Sequence, residues 1–210
     1  MPSWAHQSVL SWLIICRDIW SEANLLEIPE KRDLIFLASP NVDLLNPIPN
    51  PPPARLTRHK KKEPDTATIC IRAPPSAPGK SAVPSILVEA GYSQSYKSLV
   101  ENARKILIGG APAVQLVMIV KFFKRKLGVA VRLEFWRRDL AGTPYLAETH
   151  HVFPIPLTHQ SPIFFTREEL FGTGFVFPPR NLQDRFHLDI NELRRLATIF
   201  LSHAGLIPHP

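Results

Sequence analysis

Two largely apolar segments, residues 85–89 and 114–120, constrain the fold of this chain most strongly. Short segments of this kind, without a regular polar alternation, are typical of strands that are buried on both faces of a sheet. Between them, apolar residues recur at helical spacing over residues 94–108, and Gly109-Gly110 ends the pattern. The succession of strand, helix and strand predicts an α/β core in the middle of the chain.

Further strands are predicted on either side of this unit. Residues 66–71 are rich in β-branched side chains, and residues 129–135 alternate apolar with polar positions, as in a strand with one buried face. Residues 145–153 read as another strand. We therefore expect an α/β fold with a central mixed sheet of about four to five strands, flanked by helices.

Proline divides the chain into three predicted parts. Ten of the 22 prolines lie between Pro40 and Pro78, where continuous helix or central strand is disfavoured. We expect an N-terminal helix and a partly disordered, Pro-rich basic linker over 1–62, the α/β core over 63–155, and a loop and helical extension over 156–210. The first part shows no clear relation to the core, so a misjoined gene product is an alternative. Helix starts with capping patterns are predicted at Thr166 and Asp189.

Charge and composition limit the partners and the compartment. The formal net charge of +7 favours polyanions such as nucleic acid, although a solvated basic surface explains it equally well. The apolar run over residues 9–16 is too short to span a bilayer, so we expect a short amphipathic or buried helix and no membrane association. Cys16 and Cys70 belong to no cysteine cluster, which favours a cytoplasmic or nuclear location.

Two acidic residues stand at the ends of predicted strands. Asp65 precedes the strand at 66–71, and Glu89 ends the strand at 85–89. Carboxylates on neighbouring strands can meet at one sheet edge and hold a hard cation such as Mg²⁺, which prefers oxygen ligands. Asp65 could instead simply open a strand after a turn. Glu89 is harder to explain without a partner, because a carboxylate at the end of an apolar strand is costly to bury.

The pair Pro64-Asp65, followed after a loop by Glu89-Ala90-Gly91-Tyr92-Ser93, resembles the PD-(D/E)XK superfamily of restriction-endonuclease-like nucleases. The pattern is similar to its Uma-type family and to a group of uncharacterised fungal proteins with Gly-Tyr-Ser after the acid. The resemblance covers about residues 63–139. It implies a restriction-endonuclease-like core, Mg²⁺ held by Asp65 and Glu89, and phosphodiester hydrolysis.

Two positions depart from the superfamily pattern. Gly91 stands where the lysine of the motif is expected, and Ser85 stands where the Uma-type pattern often has a second acid. Members of the superfamily can supply the lysine from the following helix, which makes Lys105 and Lys97 the candidates, although both could be ordinary solvent-facing residues. The departures leave open whether the protein is an enzyme or a non-enzymatic nucleic-acid-binding or accessory module that retains the fold.

A cluster of basic residues follows the strand at 114–120. Aromatic residues are interleaved with it, as in surfaces that contact phosphates and stack on bases. A turn between strands is also where many proteins place lysines. The candidates for nucleic-acid contact are Lys121, Lys124, Arg125 and Lys126.

Overall fold

The computed structural model describes residues 4–38, 66–72, 84–172 and 180–210. The helices are α1 (Trp4–Glu22), α2 (Ile28–Asp33), α3 (Tyr96–Gly109), α4 (Arg167–Phe171) and α5 (Ile190–His203). The strands are β1 (Ile35–Ala38), β2 (Thr66–Arg72), β3 (Pro84–Gly91), β4 (Leu116–Arg125), β5 (Gly128–Arg138), β6 (Pro144–Phe153), β7 (Ile163–Thr166) and β8 (Arg185–Leu188).

The first six strands form one mixed sheet in the order β1-β2-β3-β4-β5-β6, and β7 pairs with β8 in a second sheet. Only β3 and β4 pair in parallel, as the crossover through α3 requires; the other neighbours are antiparallel. The predicted α/β class with a mixed sheet and flanking helices is confirmed. The sheet has six strands, more than expected, because the short strand β1 joins its edge.

The main sheet is a central layer with apolar packing on both faces. Alternate residues of β3 point to opposite sides, so Ile86, Val88 and Ala90 belong to a large core cluster while Leu87 belongs to a smaller one. The large cluster includes side chains of α1, of the β7–β8 sheet and of α5. The small cluster includes the buried stripe of α3. The fully apolar strands β3 and β4 thus lie inside the protein, as their sequences indicate.

Helix α1 is an integral part of this fold. Three of its polar ring atoms bind the backbone of distant elements: His6 Nε2 lies 2.9 Å from Ala90 O, Trp12 Nε1 donates to Asp189 O at 2.7 Å, and Trp20 Nε1 donates to His187 O at 2.6 Å. These contacts join α1 to β3, β8 and the start of α5. Described residues of all three predicted parts of the chain therefore share one core, whereas the Pro-rich linker predicted after residue 38 lies outside the described residues.

The helix ends follow the local sequence. Thr166 accepts a hydrogen bond from Glu169 N in a complete capping box, and Asp189 accepts from Asn191 N and Glu192 N, which confirms both predicted helix starts. Helix α3 ends at Gly109, at the predicted glycine pair. Within the described part of the chain, no helix combines the length and the apolar character needed to cross a bilayer.

Candidate functional site

The strand register brings two buried acids into one row across the sheet. Glu89 on β3 lies opposite Ile119 on β4, and Ile119 lies opposite Glu134 on β5. Since directly opposed residues of neighbouring strands point to the same face, all three side chains share one side of the sheet. Glu89 is 3% exposed and Glu134 is 1% exposed. A carboxylate is rarely buried to this extent without a compensating interaction.

The next row toward the end of β3 is cationic. Gly91 pairs with Lys121 on β4, and Lys121 pairs with Arg132 on β5. The two rows are two positions apart along each strand, with one residue between them, so their side chains lie on the same face. The face thus carries acids in one row and basic groups in the next.

Helix α3 covers this face. Ile119 of the acidic row packs in one cluster with the helix residues Leu99, Ala103 and Leu107. A Cβ atom added at Gly91 would lie 3.0 Å from Leu99 Cδ1, so position 91 also faces α3. The polar rows therefore lie between the sheet and the first turns of α3.

The predicted meeting of two strand ends is present in the backbone. Thr66, the first described residue of β2, pairs with Gly91, and Thr68 pairs with Glu89. The start of β2 and the end of β3 consequently lie side by side at one end of these strands, as the acid pattern predicts. Asp65 itself lies outside the described residues, so its meeting with Glu89 stays a prediction.

Glu134 is committed to a local network that holds α3 against the sheet. Tyr96 Oη donates at 3.0 Å to each carboxylate oxygen, and Trp136 Nε1 donates at 3.0 Å. Arg132 Nε lies 2.7 Å from the carboxylate, a charge contact without hydrogen-bond geometry. Burial, followed by the hydrogen bond to Glu134, raises the pKa of Tyr96. With these donors in place, Glu134 is poorly placed to bind a cation.

Lys121 departs from its predicted position at a hairpin tip. Strand β4 continues to Arg125, beyond the predicted end at Val120: every residue from Leu116 to Phe122 is buried, and the pairing with β5 continues as far as Arg125 and Gly128. Lys121 therefore lies within the strand and is 5% exposed. Its Nζ donates to Tyr92 O and to Gln94 O, each at 2.6 Å. The ammonium is thus held over the chain that leaves β3.

The three other basic residues of the predicted cluster are exposed at the β4–β5 turn: Lys124, Arg125 and Lys126. Beside them, Phe123 lies under several cations, with Arg125 Cζ at 5.3 Å, Arg132 Cζ at 5.2 Å and Lys121 Nζ at 5.6 Å from its ring centroid. This end of the hairpin combines positive charge with an aromatic ring, as the sequence predicts.

The two candidate lysines of α3 are both exposed. Lys97 lies in the first turn of the helix, near the end of β3. Lys105 lies nine residues into α3, roughly 13 Å along its axis, and by helical periodicity it is on the side opposite the buried stripe. Of the two lysines, only Lys97 has its backbone near the polar rows.

Ser85 has a structural role at the position where a second acid is often found. Its Oγ donates to Leu170 O at 2.6 Å, and the side chain is buried. A carboxylate there would face this carbonyl oxygen without a proton to share. The contact between β3 and α4 therefore explains why position 85 carries a hydroxyl.

A magnesium site at this edge would depend on few protein ligands. Within residues 4–38, 66–72, 84–172 and 180–210, no group of three or more His, Cys, Asp or Glu side chains is placed to hold a metal ion. Mg²⁺ commonly keeps several waters and takes only one or two protein carboxylates together with substrate phosphates. Glu89 fits one such ligand, and the predicted second is Asp65.

Comparisons with protein-family models, curated proteins and solved structures give no match to this chain. The support for the candidate site therefore comes from its own geometry. The sequence singled out Glu89 as a candidate but placed Lys121 in a turn; the apolar residues Phe122 and Phe123 that follow Lys121 are the signal that would have kept it in the strand.

Proposed function

We propose that this chain is a divergent Mg²⁺-dependent nuclease-like protein. Its site lies where the start of β2 meets the end of β3. The observation that carries the proposal is Glu89, a buried carboxylate close to the end of a strand inside the sheet, next to a row of basic residues. The elements β2, β3, α3, β4 and β5 follow one another in the order strand, strand, helix, strand, strand. This order supports a restriction-endonuclease-like core.

In this proposal Glu89 and Asp65 hold the ion. Mg²⁺ in such a site activates water and stabilises negative charge on a phosphodiester under attack. The protein contributes one fixed carboxylate on a rigid strand, because β3 is hydrogen-bonded on both sides by β2 and β4. Helix α3 restricts the access of bulk water to Glu89, which strengthens its electrostatic interactions.

Cleavage of labelled DNA and RNA by the purified protein, with Mg²⁺ or Mn²⁺, tests this function. We expect Glu89→Gln to lower the rate by at least about 100-fold, since it removes a charged metal ligand and preserves the shape. Glu101→Gln, an exposed Glu on α3, is the matched control and should cleave normally. Absence of cleavage together with no metal binding by calorimetry would refute the enzyme.

A non-enzymatic nucleic-acid-binding module is the second candidate. The exposed cations at the β4–β5 turn and the ring of Phe123 favour it, since such surfaces bind phosphates and bases. The commitment of Glu134 to its local donors also favours it. Binding of labelled oligonucleotides that is weakened by Lys124→Ala and unaffected by Glu89→Gln, without cleavage, would identify this function.

A further inference from the structure

We propose that the guanidinium group of Arg125, held against the ring of Phe123, is a stacking surface for one unpaired base of single-stranded nucleic acid. The proposal rests on the binding of nucleic acid that both candidate functions share, and it names the class of nucleic acid that they leave open. In a duplex the faces of the bases are covered by their neighbours, whereas an unpaired base can stack on an aromatic ring or an arginine plane.

Planar side chains are clustered on one face of the β4–β5 hairpin. Phe123 and Arg125 lie two and four positions after Lys121 on β4, so they share the face that carries Arg132. Arg132 Cζ lies 4.6 Å from the ring centroid of Tyr96 and 5.2 Å from that of Phe123. Arg125 Cζ lies 5.3 Å from the Phe123 centroid. Two aromatic rings and two guanidinium groups thus form one cluster that reaches from α3 to the β4–β5 turn.

The inner part of this cluster is fixed in place. Tyr96 Oη donates to both carboxylate oxygens of Glu134 at 3.0 Å, and Arg132 Nε lies 2.7 Å from the same carboxylate. The ring centroids of Tyr96 and Phe123 are 6.3 Å apart. A binding surface that is already rigid loses little conformational entropy when a ligand binds. The buried Glu134 therefore acts in this proposal as the anchor of the cluster.

Arg125 is the exposed end of the cluster. Within the part of the chain that the structure describes, it makes no hydrogen bond and no ion pair, and the residue is exposed. A guanidinium group is planar and stacks through its faces. The ring of Phe123 lies against one face, so the other face can receive a base. A lysine at this position would offer a charge without a plane.

The charge around Arg125 fits a nucleic-acid backbone. Residues 121–132 include five basic side chains and no acidic one. Lys124 and Lys126 stand on either side of Arg125 in the sequence, and both are exposed. Since every nucleotide of a single strand carries a phosphate, basic groups beside a stacking surface can contact the backbone while the base stacks.

A purely structural role is the competing explanation, because contacts between cations and rings also stabilise a hairpin. Arg125→Lys keeps the charge and removes the planar group, and it changes an exposed side chain, so the fold should be preserved. Phe123→Leu removes the ring beneath Arg125 and keeps an apolar side chain. The matched control is Arg185→Lys, since Arg185 is also exposed and its Cζ lies 4.4 Å from the ring centroid of Phe164 on the β7–β8 sheet.

Fluorescence anisotropy in EDTA, at several salt concentrations, measures the binding of three labelled probes. They are a thymidine strand of about 12 nucleotides, a strand of the same length with abasic sites in place of every base, and the duplex of the thymidine strand with its complement. We expect the intact strand to bind at least about 5-fold more tightly than the abasic strand, as for one or more stacked bases.

The variants should separate stacking from charge. Arg125→Lys and Phe123→Leu should lose most of the advantage of the intact strand, without a change in the slope of log K against log salt or in duplex binding. Lys124→Ala should reduce that slope by about 0.7, as for one lost phosphate contact on a single strand, and keep the advantage. Arg185→Lys should bind all three probes as the unaltered protein does.

Equal binding of the intact and abasic strands would refute this inference, and so would an Arg125→Lys variant that keeps the full advantage or loses affinity for the duplex to the same extent. Either result, together with cleavage that Glu89→Gln abolishes, would uphold the proposed function and refute the stacking role of Arg125 alone. No binding of any probe, with no cleavage and no metal binding, would refute the proposed function and this inference with it.

Discussion

The ion pair between Glu30 and Arg167 offers a sharp test of whether the N-terminal segment belongs to the fold. Both side chains are 0% exposed, and Arg167 Nη1 donates to Glu30 Oε1. Arg167 also donates to Asp184 at 3.1 Å and to Leu25 O at 2.6 Å. Glu30 Oε2 accepts from Glu27 N at 2.8 Å. The pair thus joins α2 to α4 in the protein interior.

Removing both partners should cost less than the sum of the two single losses. Arg167→Met strands the Glu30 carboxylate with one backbone donor, so we expect a loss of about 4 to 5 kcal/mol. Glu30→Met leaves Arg167 with Asp184 and a carbonyl, and we expect about 3 kcal/mol, or about 6 to 12 °C in melting temperature. The double variant should be at least about 2 kcal/mol more stable than the sum of the single effects predicts.

Urea unfolding followed by far-UV circular dichroism measures these energies. Arg195→Met, which removes the exposed pair with Glu192, is the control and should leave the unfolding midpoint unchanged. Small, additive losses in the single variants would show that α2 does not pack on α4 as described. They would also revive a misjoined N-terminal segment as the explanation of residues 4–38.

Two further predictions concern α1 and α5. Burial raises the pKa of the Cys16 thiol from 9.0 to about 12, so the thiol of the folded protein should resist iodoacetamide at pH 8. Because the unfolded chain loses this proton first, the free energy of unfolding should fall as the pH rises from about 9 to about 12, by at most about 1.4 kcal/mol per pH unit. Cys16→Ala should remove this decline. If Cys16 reacts at the rate of the unfolded chain, α1 is not packed as described. Asp189→Ala removes the cap of α5 and should cost about 1 kcal/mol in urea unfolding; an unchanged midpoint would contradict the capping contacts.

Local sequence signals predicted the regular elements well. The capping residues Thr166 and Asp189, the glycine pair after α3 and the apolar strands each act over a few residues, so their effects can be read directly. The predicted end of β4 at Val120 was wrong because the lysine and arginine residues that follow suggested a turn. In this strand, burial continues without a break through Lys121 and Phe122, and the pairing with β5 extends to Arg125.

Long-range geometry could not be predicted from the same signals. The pairing of Gly91 with Lys121 depends on how α3 sets the register of β4, and the Glu30–Arg167 pair joins residues 137 positions apart. Neither relation leaves a local pattern. Glu89 was singled out because an acid ending an apolar strand is unusual, whereas the placement of Lys121 beside it on the same face could not be predicted.

The proposed metal site at Glu89 is tested by locating a bound ion. Crystals soaked in Mn²⁺ would give an anomalous diffraction peak at each bound ion. We expect a peak at about 2.0 to 2.6 Å from a carboxylate oxygen of Glu89, which is lost in Glu89→Gln. No peak near Glu89 at millimolar Mn²⁺, or a peak that survives Glu89→Gln, would contradict it.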